Sequence, residues 1–172
     1  MEPLLPEDRE GKLAALSLGV IRRSERLRGA LHPITRRGVV DLVLSMNSYY
    51  SNLIEGHRTM PRDIDSALRQ EFSRDAKRRS LQQLHWAHVE IHRWMDSALP
   101  AMKPAAICGT EFLCRLHHEF YVRLPEDLRW AEGADGKRHR VEPGKLRVST
   151  VSVGIHVPPA HEKLEKFLER FA

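Results

Sequence analysis

Three histidines, His85, His88 and His92, stand at i, i+3 and i+7. On a helix that spacing lines three imidazoles along one face, and converging neutral imidazoles are ligands that zinc accepts. Trp86, Val89, Ile91 and Trp94 crowd the same segment, and no Cys, Asp or Glu recurs nearby at metal-ligand spacing. The reading is a packed helix with surface and half-buried histidines, and no metal site is assigned. "RLHHEF", Arg115–Phe120, offers His117 and Glu119 as an acid and a base. No G-x-S-x-G, H-E-x-x-H or glycine-rich phosphate loop accompanies them. Packing and local hydrogen bonding are the expectation there, and no catalytic residue is assigned. Arg69, Arg74, Lys77, Arg78 and Arg79, set against Glu71 and Asp75, make a basic stretch. Such a face can touch phosphates, but no nucleic-acid-binding motif goes with it, and a solvated face is expected. Last, "SNLIEG", Ser51–Gly56, puts Glu55 at the end of an apolar helix, where the macrodipole is negative and favours Lys or Arg. By spacing alone Glu55 is a solvated residue beside a glycine cap.

The elements that position these residues follow from periodicity. A first helix runs from about Glu7 to Leu27, with Leu13, Leu16, Val20 and Leu27 at helical spacing. His32 before Pro33 breaks it. Thr35 caps a second helix whose apolar face is Val39, Leu42, Val43, Met46, Tyr50 and Leu53, ending at Gly56. Thr59 caps a third, with Pro61 in its first turn and Ile64, Leu68 and Phe72 as its apolar residues. A fourth covers about Leu81–Leu99, and a fifth runs from Pro104 to about Leu124, where Pro125 ends it. "GADGKRHRVEPGKLR" then reads as a polar loop. Val151, Val153, Ile155 and Val157 alternate, predicting one strand or a short hairpin bent at Gly154. A last amphipathic helix carries Leu164, Phe167, Leu168 and Phe171. The predicted fold is mainly α, a helical bundle with one small β-hairpin.

The 172 residues, 41% hydrophobic and 30% charged, can bury a core and are unlike a disordered chain. The net charge of +5 permits an acidic partner without requiring one. If Cys108 and Cys114 share a helix, about 9 Å of rise separates them. That exceeds what a disulfide spans, so two reduced thiols are expected. "MEPLLPEDRE" lacks the features of a signal peptide, and no run reaches membrane-span length. The expected location is cytoplasmic.

Three pieces taken in order resemble the Fic family, which transfers AMP from ATP to hydroxyls of target proteins. "SNLIEG" is similar to the inhibitory-helix pattern (S/T)-x-x-x-E-(G/N) through Ser51, Glu55 and Gly56. "FLCRLHHEF" is similar to the L-H-x-x-(L/F) helix that opens the Fic core, through Leu116, His117 and Phe120. "PGKLRVSTVSVGIHVPP" resembles the flap hairpin, through Gly144, Arg147, Val151, Val153, Gly154, Pro158 and Pro159. The similarity covers about residues 35–172. It implies an N-terminal helical region, 1–103, with the inhibitory motif at 51–56, and the first part of the Fic core, 104–172, with the flap at 145–158. The family's active-site motif, H-x-F-x-(D/E)-G-N-G-R-x-x-R, does not occur.

The resemblance therefore implies the N-terminal, regulatory and target-docking part of a protein adenylyltransferase, a fragment or truncated product that is inactive alone. Glu55, supported by Ser51 and Gly56, would pair with the second Arg of the missing motif and deny it to the ATP γ-phosphate. Arg147, Val151, Ser152, Val153 and Gly154 would dock an extended segment of a target protein. ATP and Mg²⁺ serve the complete family enzyme, whose nucleotide site a C-terminal region completes. Neither is expected to bind well to this chain. An edge left open by missing helices would expose Leu164, Phe167, Leu168 and Phe171 and drive self-association. Two other readings remain: a stand-alone module supplying Glu55 in trans, and a basic helical nucleic-acid-binding domain.

Overall fold

The computed structural model describes residues 11–133, 136–151 and 157–170. Within them lie six α-helices and one two-stranded antiparallel hairpin, a mainly α fold. Helix α1 spans Lys12–Ala30, α2 Pro33–Ile54, α3 Pro61–Leu68, α4 Ala76–Ala98, α5 Thr110–Tyr121 and α6 Leu164–Glu169. Strands β1, Trp130–Glu132, and β2, Arg138–Arg140, pair with Trp130 opposite Arg140 and Glu132 opposite Arg138. None of these helices is long and apolar enough to cross a membrane.

The centre is α4. It packs against α2, α3 and α5, so it meets helices from before and after the boundary expected near residue 103. Its Trp94 ring stacks on Phe112 of α5 at 6.2 Å, and the Arg115 guanidinium sits 5.3 Å from the Trp94 centroid. Ala87, Val89 and Ile91 are buried on α4, with Ile64 and Ala67 of α3 and Leu44 of α2.

Helix starts depart from the sequence expectation because other caps win. α2 begins at Pro33: His32 is extended and its Nδ1 accepts from the Ile34 N–H at 3.3 Å, so Thr35 lies inside the helix. α3 is preceded by Met60, and the Thr59 hydroxyl is buried without a partner among the described residues. α4 begins at Ala76, ahead of Leu81, because Asp75 Oδ1 accepts from the Arg78 N–H at 2.8 Å. Pro104 opens a 3₁₀ turn, Pro104–Cys108, and Gly109 is extended before α5. Cys108 and Cys114 thus do not share a helix, and both are free thiols.

The apolar face expected of α2 is not its buried face. Leu44, Ser48 and Asn52 point inward, whereas Val39, Leu42, Val43, Met46, Tyr50 and Leu53 are exposed. Polar residues face α4 because α4 presents histidines that satisfy them. α1 buries no residue, and Leu13, Leu16, Val20 and Leu27 are exposed. These two helices, rather than the chain's last helix, present the large apolar surface: Leu164, Phe167 and Leu168 are half-buried, and Phe171 lies outside the described residues.

The described hairpin forms where no strand was expected. Its β1 precedes and its β2 lies in the stretch read as a polar loop, and Gly133 N–H donates to the Lys137 carbonyl at 2.8 Å. Glu126 fixes it from outside, accepting from Arg140 Nε at 2.7 Å and from a second guanidinium nitrogen at 3.1 Å. Around the flap expected at 145–158, residues 145–151 and 157–158 are irregular. Ser152, Val153, Gly154 and Ile155 lie outside the described residues.

Candidate functional site

Glu55 occupies the position expected of it, at the end of α2, and the turn that follows explains how the chain leaves the helix. Gly56 is left-handed, with φ 82°. Its N–H donates to Leu53 O at 3.0 Å, and the His57 N–H returns to Asn52 O at 2.8 Å. This is the Schellman arrangement, which closes the last carbonyls of the helix. A Cβ on Gly56 would meet no atom within 4 Å, so the cost of Gly56→Ala is conformational alone. Denaturant unfolding of that variant should show a loss of about 1–2 kcal/mol. A loss indistinguishable from zero would mean that the turn is not held in this conformation.

The turn folds His57 back beside Asn52, onto the rim of an open cleft of about 680 Å³. α2 and its turn contribute Ser51, Asn52, Glu55 and His57; α4 contributes His88, His92 and Met95; α5 contributes Leu116, His117, Phe120 and Tyr121. Two motifs far apart in sequence, "SNLIEG" and "RLHHEF", therefore line one cavity. Glu55 is exposed, and its carboxylate has no partner among the described residues. No side-chain hydrogen bond joins it to Ser51; only the backbone links them, Glu55 N–H to Ser51 O at 3.3 Å. His57 was not singled out from the sequence. The signal for it was the glycine: a residue following a left-handed cap returns to the last turn of its helix.

The histidines of α4 divide by depth. His85 is fully buried, with Nδ1 at 2.9 Å from Ser48 Oγ and Nε2 without a partner among the described residues. An unpaired acceptor is cheaper than an unpaired N–H at that depth. The proton therefore belongs on Nδ1, donating to Ser48, whose hydroxyl donates to the His85 carbonyl at 3.4 Å. Burial, with His88 and His57 nearby, pushes the His85 imidazole down to about 4. His88 and His92 lie at the cleft, their Nε2 atoms 3.3 Å apart. Asn52 Nδ2 donates to Ser48 O at 2.9 Å and lies 3.4 Å from His88 Nδ1. Burial, then the His92 charge, also lowers His88. The three do not converge: among the described residues no set of three His, Cys, Asp or Glu side chains is arranged to hold a metal ion.

On α5, His117 Nδ1 accepts from the Gly144 N–H at 2.9 Å, leaving its proton on Nε2. Its ring lies 4.4 Å from Tyr121, and burial lowers its affinity for a second proton. Gly144 is left-handed, and a Cβ there would stand 3.0 Å from His118 Cβ. The glycine thus allows the segment before Arg147 to lie directly on α5. Glu119 is not paired with His117: it takes Arg123 at 2.7 Å on another face.

Of the residues expected to dock a target, Arg147 and Val151 are described. Both line a groove of about 360 Å³ between the hairpin and residues 145–151, together with Glu132, Arg140 and Val148. The Arg147 fork is spent internally, donating to Ser149 O at 2.8 Å and to the Pro159 carbonyl. It fastens the two ends of this segment to each other. Three residues of the basic stretch are likewise engaged: Arg78 pairs with the buried Asp63, Arg69 with Glu71 at 3.2 Å, and Arg79 with main-chain carbonyls.

The cleft does not fit ATP and Mg²⁺ as it stands. Its lining holds one carboxylate, no Lys or Arg and no glycine-rich anion cradle, whereas Mg²⁺ asks for carboxylate and phosphate oxygens. Comparison of the chain with family models, with curated proteins and with solved structures returns no match.

Proposed function

We propose that this chain is the regulatory and target-docking part of a Fic-type protein adenylyltransferase and transfers no AMP by itself. The observation that carries the reading is Glu55. Its carboxylate is exposed and unpartnered among the described residues, in the lining of a cleft that Leu116, His117 and Phe120 of α5 also line. A carboxylate held this way suits a bidentate charge-assisted pair with a guanidinium brought by a catalytic segment. That pairing withdraws the arginine from a nucleotide phosphate. The groove beside Arg140 and Val148, with Val148 84% exposed, supports docking of an extended target segment. The exposed apolar faces of α1 and α2 support association with another protein surface.

Incubation of the chain with labelled ATP and Mg²⁺ should give no labelled protein; labelling overturns the reading. Added to a Fic catalytic segment that lacks its own inhibitory helix, the chain should suppress labelling. Glu55→Gln should relieve that suppression while raising the melting temperature slightly, because an acid is removed from the negative end of α2. Equal suppression by wild type and Glu55→Gln would remove Glu55 from the mechanism. The nucleic-acid reading draws no support from the geometry, since Arg78 and Arg69 are already in ion pairs.

A further inference from the structure

We propose that His88 and His92 form a two-imidazole clamp for a borderline divalent transition-metal ion, Zn²⁺ first among them. The inference is independent of the adenylyltransferase reading. The two residues stand one turn apart on α4, at i and i+4, with ring centroids 5.0 Å apart and planes inclined by 31°. Their Nε2 atoms face each other at 3.3 Å. Two imidazole nitrogens about 2.0–2.1 Å from a tetrahedral Zn²⁺ are separated by roughly 3.3–3.4 Å. The pair is therefore already spaced as two ligands of one ion, on a helix packed against α2, α3 and α5.

The donor set selects the metal. Imidazole nitrogens suit Zn²⁺, Cu²⁺ and Ni²⁺, whereas Mg²⁺ and Ca²⁺ need oxygen ligands. The cleft supplies His57 and His117 beyond the pair and one carboxylate, Glu55. With no third ligand in place among the described residues, water fills the remaining positions, and the ion stays open to an anionic group entering the cleft. Without metal, one Nε2 carries a hydrogen and donates to the other. With metal, both lone pairs turn to the ion and the His88 proton moves to Nδ1, opposite Asn52. A half-turn of the Asn52 amide that presents Oδ1 to that N–H must release Ser48 O, to which Nδ2 now donates, and swing Oδ1 clear of that carbonyl; it then holds the ring from behind, as outer-shell partners of metal-bound histidines do. The net proton count is unchanged.

The test is calorimetric titration of the purified full chain with ZnCl₂, with NiCl₂ and, as a contrast, with MgCl₂. Saturable uptake of one Zn²⁺ per chain is expected, with no heat from Mg²⁺. His92→Ala, at the open side of the pair, should weaken Zn²⁺ binding at least tenfold with its far-ultraviolet circular dichroism unchanged. Nitrogen-15 spectra of the imidazole rings provide a second measurement that needs no substitution: Zn²⁺ should shift Nε2 of both His88 and His92. No saturable uptake by the wild type, undiminished binding by His92→Ala, or shifts confined to other histidines would overturn the assignment.

Discussion

Lowering the pH from 7 to 4 should remove about 3 kcal/mol of stability through His85 alone. The folded imidazole titrates at about 4, against an ordinary value of 6.5, and each tenfold loss of proton affinity is worth about 1.4 kcal/mol. Above pH 6.5 the residue is neutral in both states and contributes nothing to the pH dependence. Between 6.5 and 4 the unfolded chain takes up a proton that the folded chain refuses. The unfolded state then binds more protons, so unfolding free energy falls as pH falls. Below about 4 the folded state is protonated too, and the loss levels off. His88 and His117 are also lowered by burial and add in the same direction. Glu126 and Glu142 are held low by Arg140 and Lys145 respectively, so their losses come at more acidic pH. Urea unfolding at several pH values would measure the slope. His85→Phe should flatten it by about one proton between pH 6 and 4.5, whatever the variant's stability at pH 7. An unchanged slope would show that His85 titrates normally in the fold.

Gln82→Met should cost about 3 kcal/mol at neutral pH, although it nearly preserves side-chain volume. Gln82 is 2% exposed and uses both ends of its amide. Oε1 accepts from the Ser73 N–H at 2.7 Å, while Nε2 donates to Asp63 O at 3.2 Å and Glu71 O at 3.4 Å. The methionine leaves one backbone donor and two carbonyls without that partner. A buried group left unsatisfied costs about 1–3 kcal/mol, and water reaching the exposed Glu71 softens the total. The consequence extends to the link between α3 and α4, because the same side chain braces residues 71–73 beside the Asp63–Arg78 pair. Chemical denaturation of both proteins measures the difference. A cost below about 1 kcal/mol would mean that these three bonds do not hold the link.

The Schellman turn was legible in the order of residues, since Gly56 after an apolar helix admits few conformations. The helical grammar was legible too: each of the six described helices lies near a place given by 3.6-residue periodicity and by Pro33, Pro61, Pro100 and Pro125. The caps were less so, because His32 and Asp75 compete with Thr35 and Leu81 through individual hydrogen bonds that periodicity does not report. The hairpin at Trp130–Arg140 was not legible for a related reason. Trp130–Glu132 and Arg138–Arg140 are exposed on both faces, so no alternation marks them, and their pairing depends on the Gly133–Lys137 turn and on Glu126.

The sequence by itself determined that the chain is mainly helical and that Glu55 stands at a helix end with a glycine after it. These are local properties, set by backbone preferences over a few residues. Only the tertiary structure decided that Glu55, His57, His88, His92 and His117 line one cleft, and that α2 turns Ser48 and Asn52, rather than its apolar stripe, toward α4. The physical reason is pairing at a distance. Ser48 bonds to His85, 37 residues away, and Gly144 bonds to His117, 27 residues away. A buried polar group goes where its partner is, and the partner's position is fixed only when the helices pack.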